Sequence, residues 1–306
     1  MLSTADATAT ADDIGRQRSG RAKVTLSGVS ETLLISLFGR ARDAVTESPI
    51  LGDRYAKDVV ARLDYDFERL PMPPTHAGAV ALRARFYDRW AAAFLAAHAH
   101  ATVLHLACGL DSRNQRVNWG PHVRWIDVDL PEVVALRRQV LPSTLPGKDY
   151  HLVGADATDD AWLEDVQTDQ PVLVIMEGLL SYLEPADGRS LIKRLARRIK
   201  IGELHFECMS TAVLTASQKD KKTAVSRTGS VYKWAIDDLR EIERIDPHLE
   251  LLEVMRYVEA PGVEELPFMS RIGYYIMSWM PSMRDSVRFV RFGVSEDVEG
   301  RVKVVG

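Results

Sequence analysis

The predicted fold of this chain rests on the stretch Val103-Leu-His-Leu-Ala-Cys-Gly-Leu-Asp-Ser-Arg113. An apolar run enters it, and the small residues Ala107-Cys108-Gly109 then break the run in a turn that opens a helix. A strand that ends in such a turn brings backbone N–H groups up to a ligand in α/β proteins. The pattern Gly-x-Gly-x-x-Gly is absent, so the turn lacks the phosphate-binding glycines of a nicotinamide dehydrogenase. The alternative is an ordinary strand-to-helix turn.

Around this turn, alternating apolar runs and helical patterns predict an α/β fold with a largely parallel sheet. Continuous apolar runs such as Val172–Met176 suit strands that are buried on both faces of the sheet. Helices are expected between most strands, notably over Pro131–Leu141 and Pro185–Lys200. The strands are expected near Val103–Leu106, Val123–Val128, Tyr150–Val153, Val172–Met176, Leu204–Cys208, Leu249–Val254 and Val287–Phe292.

The first hundred residues are expected to pack on the sheet as a helical cap. Apolar residues recur at helical spacing from Val24 to about His100, which is too much helix for a single crossover. The predicted organisation is a disordered tail over 1–22, a helical cap over 23–100 and a sheet domain over 101–306. Within that domain, the segments 209–234 and 261–283 are expected to cover the ligand crevice. Aromatic residues in and beside the second segment are expected to line an apolar ligand pocket, or alternatively to form the core of the covering segment: Tyr257, Phe268, Tyr274, Tyr275 and Trp279.

Composition narrows the class of protein. A chain of 306 residues, 46% hydrophobic and 27% charged, is typical of a soluble globular protein with a full core. The net charge of −4 argues against a nucleic-acid binder. No apolar run is long enough for a membrane span, and the first 22 residues lack the apolar core of a signal peptide. Cys108 and Cys208 form neither a disulfide framework nor a zinc spacing, which favours a reducing cytoplasm and no metal site.

Acidic residues stand at the predicted carboxyl ends of successive strands: Asp127, Asp129, Asp156 and Glu177. Because the carboxyl ends of parallel strands meet at one edge of a sheet, these side chains are expected to converge on a ligand crevice. Asp129 follows Gly109 by 20 positions, about where a nucleoside-binding fold places the carboxylate that accepts from ribose hydroxyls. For each acid the alternative is a helix N-cap or a solvated loop charge. Asp127 in particular could serve only to orient the turn.

Several acceptors without a phosphate-binding loop suit S-adenosyl-L-methionine. This cofactor carries a ribose diol, an adenine amine, an α-ammonium, an α-carboxylate and a cationic sulfonium, and it has no phosphate. Asp129 suits the ribose hydroxyls, and Asp156 suits the adenine amine, with the Ala157 N–H facing a ring nitrogen. Glu177 suits the ammonium or the sulfonium charge.

The same residues resemble a known family. Three segments are similar to successive motifs of the leucine carboxyl methyltransferase family, in its bacterial branch of polyketide-type, tetracenomycin-like O-methyltransferases: Leu106-Ala-Cys-Gly-Leu-Asp-Ser-Arg113, Ile126-Asp-Val-Asp-Leu-Pro-Glu132 and Glu177-Gly-Leu-Leu-Ser-Tyr-Leu183. Further matching segments are Ser30-Glu-Thr-Leu-Leu34, Arg83-Ala-Arg-Phe-Tyr-Asp88 and Tyr232-Lys-Trp-Ala-Ile-Asp-Asp238. The resemblance runs from about Leu26 to Phe292.

The resemblance implies a class I S-adenosylmethionine-dependent methyltransferase fold, which is Rossmann-like with seven mostly parallel strands and an antiparallel last strand. It also implies that Arg83 pairs with the cofactor carboxylate through a bidentate guanidinium. Gly109 would let the backbone approach the amino-acid part of the cofactor. The remaining cofactor residues that it implies are Asp129 for the ribose, Asp156 and Ala157 for the adenine, and Glu177 for the amino-acid end. Ala107 departs from the glycine usual in the family.

The implied reaction is in-line transfer of the methyl group to an oxygen of a small-molecule acceptor, which leaves S-adenosyl-L-homocysteine. A carboxylate acceptor is already ionised at neutral pH and needs no base, and this favours methyl ester formation. A hydroxyl acceptor would need a base, for which His105 and Tyr182 are the candidates. His105 could equally be a histidine that is hydrogen-bonded at a strand end. A non-catalytic cofactor-binding protein is the remaining alternative, and the oligomeric state is left open.

Overall fold

A single mixed sheet lies at the centre of the molecule in the computed structural model, which describes residues 20–142 and 145–296. Within those residues its strands are β1 (Ala101–Leu106), β2 (Val123–Asp129), β3 (Asp149–Gly154), β4 (Val172–Met176), β5 (Ile201–Met209), β6 (Leu249–Arg256) and β7 (Val287–Ser295). Their spatial order is β3-β2-β1-β4-β5-β7-β6. All neighbouring pairs from β3 to β5 are parallel, whereas β7 runs antiparallel to both β5 and β6. The predicted fold class is confirmed, and each strand lies where the apolar runs predict it.

Among the described residues, three α-helices precede β1, and from β1 onward helices alternate with strands as the sequence predicts. They are α1 (Leu33–Asp43), α2 (Arg54–Arg62), α3 (Pro74–Ala97), α4 (Arg113–Arg116), α5 (Pro131–Val140), α6 (Ala161–Glu164), α7 (Pro185–Arg198), α8 (Thr211–Lys219), α9 (Ala224–Arg227), α10 (Arg240–Glu243), α11 (Phe268–Trp279) and α12 (Pro281–Arg284). Single 3₁₀ turns lie at Gly28–Thr32, Phe67–Arg69, Leu180–Tyr182, Tyr257–Glu259 and Val263–Glu265. None of the described helices combines the length and the apolar composition needed to cross a membrane.

Both faces of the sheet are covered by apolar side chains, as a parallel sheet requires. The long helix α3, which begins with Pro74 at its first position, buries Phe86, Trp90 and Phe94 against one face. Helix α7 buries Leu191 and Leu195 against the other face. All five residues of β4 are therefore buried, in agreement with its continuous apolar sequence.

The N-terminal helices lie over the carboxyl ends of the parallel strands. Helices α1 and α3 pack closely, since a Cβ at Gly39 would come within 2.8 Å of Val80 Cβ. Leu37 of α1 also belongs to a buried cluster with Leu136 of α5, which ties the cap to the sheet domain. Ala22–Lys23 forms a short parallel pair with Leu63–Asp64. Of the predicted tail, residues 1–19 lie outside the described residues.

Candidate active site

A cavity of about 850 Å³ lies between the helical cap and the carboxyl ends of the strands. Its polar wall includes Asp129, Asp156 and Glu177, which follow or end β2, β3 and β4. Residues of both segments expected to cover the crevice also line it, among them Val213 and Tyr274. Small-molecule pockets are about 300–1,000 Å³, so this cavity has room for a cofactor and a second ligand.

The turn after β1 adopts the backbone conformation that a close approach requires. Gly109 has φ +51°, and a Cβ there would lie 3.1 Å from Leu33 Cβ in the cap. Both the positive φ and the short distance to Leu33 therefore favour glycine at this position. Ala107 has φ +51° as well, and it is the single non-glycine residue with positive φ among the residues that the structure describes. A methyl side chain in this conformation costs on the order of 1 kcal/mol.

Asp129 is held by the backbone at the end of β2. Its Oδ2 accepts from Gly109 N at 2.6 Å, and its Oδ1 accepts from Leu130 N at 2.8 Å. Burial raises the pKa of this carboxyl, while the two N–H donors act in the opposite direction. A carboxylate accepts about four hydrogen bonds, so two positions are left for a diol.

Asp156 and Ala157 follow β3 and lie beside Asp129, because Ala155 N donates to Asp129 O at 2.8 Å. Asp156 is exposed, and its Oδ1 accepts from Thr158 N at 2.8 Å and from Thr158 Oγ1 at 2.7 Å. Its Oδ2 has no hydrogen bond to any residue within the described ranges. Ala157 is buried and lines the cavity.

The negative charge of Glu177 is balanced by two arginine side chains. Arg83 Nε donates to Glu177 Oε1 at 2.8 Å, and Arg113 Nη2 donates to Glu177 Oε2 at 2.5 Å. Burial acts to raise the pKa of Glu177, but the two guanidinium groups outweigh it and hold that pKa below its ordinary value. The carboxylate is therefore ionised at neutral pH. Arg83 also contacts Ser36 Oγ at 3.0 Å through Nη2.

Glu207, near the end of β5, is a cavity residue that the sequence analysis did not identify. It accepts from Tyr87 Oη at 2.6 Å, from Gly178 N at 2.7 Å and from Arg83 Nη1 at 3.5 Å. Burial raises the pKa of its carboxyl above the ordinary value, and the opposing effect of Arg83 is smaller. The strand-end rule that identified the other acids would have found Glu207, since it stands two residues before the end of its strand.

A buried ion-pair network lies behind these residues. Arg113 is fully buried and joins Glu177 to Asp88 of α3, with Nε to Oδ1 at 2.7 Å. Arg116 continues the network from Asp88 to Asp53 at the start of α2, with Nη1 to Asp53 Oδ2 at 2.8 Å. The network therefore connects the cap to the turn after β1.

Asp127 lies beneath the site and does not line the cavity. It is fully buried and accepts from side chains that surround it: Arg137 at 2.6 Å, Trp125 and Tyr150 at 2.8 Å, His105 at 3.2 Å and Asn114 at 3.3 Å. Burial acts to raise its pKa, but Arg137 and His105 outweigh this and lower it. This buried position agrees with the interpretation that Asp127 orients the turn, and not with a direct contact to a ligand.

The two candidate bases, His105 and Tyr182, both line the cavity. Both ring nitrogens of His105 lie within hydrogen-bond distance of other side chains, and Tyr182 is a neutral phenol. His105 Nδ1 lies 3.2 Å from Asp127 Oδ1, and its Nε2 lies 3.2 Å from Arg113 Nη1. Since arginine is only a donor, Nε2 accepts and Nδ1 carries the proton. Burial, with a neighbouring tyrosine, Tyr232, raises the pKa of Tyr182 well above its ordinary value, so this phenol is neutral.

Two of the five aromatic residues predicted to line the pocket do line the cavity, and three do not. Tyr257 and Tyr274 line the cavity, with ring centroids 5.3 Å apart. The prediction is wrong for Phe268, Tyr275 and Trp279, which are exposed on the outer side of helix α11. The reason is that a helix presents only one face to the cavity, and sequence alone does not show which face that is.

Comparison with known proteins identifies the family. The model of the leucine carboxyl methyltransferase family matches residues 34–196. The tetracenomycin polyketide synthesis O-methyltransferase of Streptomyces glaucescens is 36% identical over 270 residues, which cover 88% of this chain and 98% of that protein. The chain belongs to the leucine carboxyl methyltransferase family. It is an S-adenosylmethionine-dependent methyltransferase.

A further relative agrees with this assignment, and a solved structure agrees with the fold. An S-adenosyl-L-methionine-dependent methyltransferase of Gibberella zeae is 38% identical over 251 residues, 77% of this chain and 84% of that protein. A structure from Thermobifida fusca, solved as a candidate methyltransferase, covers 84% of this chain and 94% of its own with a TM-score of 0.55. At 18% identity the latter supports the fold alone.

The described residues fit the cofactor of this family, S-adenosylmethionine. Asp129 has acceptor capacity for a ribose diol, and the exposed Asp156 Oδ2 has capacity for an adenine amine. Glu177 and Arg83 offer opposite charges at one end of the cavity, which suits the ammonium and carboxylate of an amino acid. We propose that these residues, with Gly109 and Ala157, hold the cofactor.

Replacing Asp129 with alanine should weaken S-adenosylhomocysteine binding by about tenfold, close to 1.4 kcal/mol, because a positioned acceptor is lost. Asp156→Ala should weaken it less, since Asp156 is exposed and water replaces part of its role. Isothermal titration of both variants measures the difference. Normal binding by Asp129→Ala would reassign this carboxylate to the turn alone.

Proposed function

We propose that this methyltransferase converts a carboxylate of an apolar, aromatic small molecule into its methyl ester. The single observation that carries the proposal is that neither candidate base, His105 or Tyr182, is free to take a proton from an acceptor. His105 uses both ring nitrogens, Tyr182 is neutral, and Glu207 is bound by three donors. A carboxylate acceptor has a pKa near 4 and needs no proton removed at neutral pH. A hydroxyl acceptor requires a base in the transition state.

The acceptor half of the cavity supports an apolar substrate. It is lined by residues of α1, α3, α8 and α11, which include Ile35, Val80, Val213, Ala216, Tyr274 and Met277. When bound, the cofactor supplies an electrophilic methyl group: an oxygen lone pair forms the new C–O bond while the C–S bond breaks, and the bonding pair stays on sulfur. Because opposite charges are neutralised in this step, an apolar wall that excludes water favours it.

The chain's own residues contribute position rather than covalent chemistry. Arg83, Glu177 and Asp129 fix one reactant, and the apolar wall fixes the other. Holding the two reactants in this alignment lowers the activation barrier by several kcal/mol, because the entropy cost of bringing them together is already met on binding. The relative from Streptomyces glaucescens is named as an O-methyltransferase of polyketide synthesis, which supports a polyketide-type acceptor for this chain as well.

The test compares matched acceptors that differ only in the reacting group. An aromatic carboxylic acid and the corresponding phenol are each incubated with protein and radiolabelled S-adenosylmethionine. We expect label in a product that alkali releases as methanol, and a rate independent of pH from about 6 to 9 because no base titrates. An alkali-stable methyl ether, or a rate that rises with pH, would favour the hydroxyl acceptor. Cofactor binding without turnover on any acceptor would favour the non-catalytic alternative.

A further inference from the structure

Helix α11 carries an exposed apolar face on the outside of the cavity. Phe268 is 67% exposed, Met269 70% and Trp279 73%. The other exposed apolar residues beside them are Ile272, Tyr275, Ile276, Met280 and Met283. At 100° per residue, those within α11 fall within an arc of about 120°. They therefore form one continuous stripe.

The opposite side of the same helix faces the acceptor half of the cavity. Tyr274 and Met277 line it, and Tyr274 packs against Tyr257 after β6. The sequence of α11 contains a single charged residue, Arg271. Helix α11 is therefore apolar on both sides, and the needs of the cavity explain only the inner side.

The size of the outer stripe matches one half of a protein interface. At roughly 200 Å² for a fully accessible large side chain, the exposed fractions amount to on the order of 900 Å². The largest apolar patch on a typical monomer is about 300–600 Å². A standard interface buries about 800 Å² on each partner.

We propose that this stripe binds the same stripe of a second copy of the chain, around a twofold axis through the middle of the stripe from Phe268 to Met283. Antiparallel pairing about the midpoint between Tyr275 and Ile276 places Ile272 opposite Trp279 of the second copy, and Tyr275 opposite Ile276. The stripe is thus self-complementary, as a twofold interface requires.

The single charge also fits this arrangement. Arg271 lies about 7 Å along the helix from the midpoint, so the two copies of Arg271 are about 14 Å apart. That separation exceeds the Debye length of about 8 Å at physiological ionic strength. Each Arg271 instead lies near the carboxyl end of the other helix, where a cation is favourable. A helix that lies on a membrane carries a charged face opposite its apolar face, and here that face is the cavity wall.

Sedimentation velocity of the full chain at micromolar concentration tests the proposal. We expect a species of twice the chain mass. Ile276→Glu should raise the dimer dissociation constant at least about 100-fold, because it places two like charges at the axis. The control is Val45→Glu, at an apolar residue that is 61% exposed in the turn after α1, and it should leave the mass unchanged. A monomeric wild type, or a dimer unaffected by Ile276→Glu, overturns the proposal.

Crosslinking gives a second readout that does not depend on how well Ile276→Glu folds. A short bis-maleimide should join two chains of Ile276→Cys and should not join those of Val45→Cys. The natural thiols of Cys108 and Cys208 are buried and do not compete. Absence of crosslinked Ile276→Cys, or wild-type chains that stay monomeric and bind anionic vesicles through this helix, would overturn the twofold arrangement.

Discussion

Replacing Arg113 with methionine is expected to lower the free energy of unfolding by about 3–5 kcal/mol, because buried carboxylates lose their partner. Arg113 is fully buried, and its Nε and Nη2 donate to Asp88 at 2.7 Å and to Glu177 at 2.5 Å. Its Nη2 also lies 3.3 Å from Asp111 Oδ2. Methionine fills much of the same space but donates no hydrogen bond. Denaturant titration followed by circular dichroism measures the loss.

The matched control is the same substitution in an exposed ion pair. Arg124 Nε contacts Asp149 Oδ2 at 2.8 Å, but the two side chains are 33% and 39% exposed. Arg124→Met should cost less than about 1 kcal/mol, since water screens the pair and replaces it. Equal losses in the two variants would show that burial of the Arg113 network contributes nothing.

The pH dependence supplies an independent check. Burial acts to raise the pKa values of Asp111 and Glu177, but guanidinium groups that include Arg113 outweigh it and hold both pKa values low. Carboxyls with a lowered folded pKa stabilise the fold above their unfolded pKa values, near 3.8 and 4.5, and lose that contribution as pH falls. The stability difference between wild type and Arg113→Met should therefore be largest near neutral pH and shrink in acid.

The second large effect is expected for Arg83→Lys, which keeps the charge but should weaken S-adenosylhomocysteine binding tenfold or more. All three guanidinium nitrogens of Arg83 have partners, which are Glu177, Glu207 and Ser36. A planar fork can hold Glu177 and still present N–H groups to a ligand carboxylate, whereas an ammonium is a point charge on a flexible stem. Each charge-assisted hydrogen bond lost costs about 1.5–3 kcal/mol.

Arg85→Lys is the control for this prediction. Residues two apart lie on different sides of a helix, and Arg85 points to Ile50 O at 3.1 Å and Glu265 Oε2 at 2.6 Å, away from the cavity. Isothermal titration of both variants, with unfolding curves to verify the fold, separates the two positions. If Arg85→Lys is the damaging change, the cofactor carboxylate is held on the other side of α3. If neither variant binds less tightly, Arg83 serves only to neutralise Glu177 and Glu207.

The position of an acidic residue at a strand end does not show whether its side chain reaches the ligand crevice or is buried beneath it. Asp127 and Asp129 stand two positions apart on one strand, so both point to the same face of the sheet, and periodicity does not distinguish them. The structure does: Asp129 is reached by the backbone of Gly109, whereas Asp127 is enclosed by Arg137, Tyr150 and Trp125. These partners come from elements up to 23 positions away in the chain, and they assemble only on folding.

The sequence by itself determined the sheet, its antiparallel last strand through the family resemblance, and the family. These features depend on local properties: apolar runs that must be buried, small residues that permit a tight turn, and acids placed where strands end. Only the tertiary structure decided that His105 is engaged at both nitrogens and that Phe268, Tyr275 and Trp279 point outward. Each of these outcomes depends on which side chains from distant segments reach one another, and a single residue's type and position do not specify that.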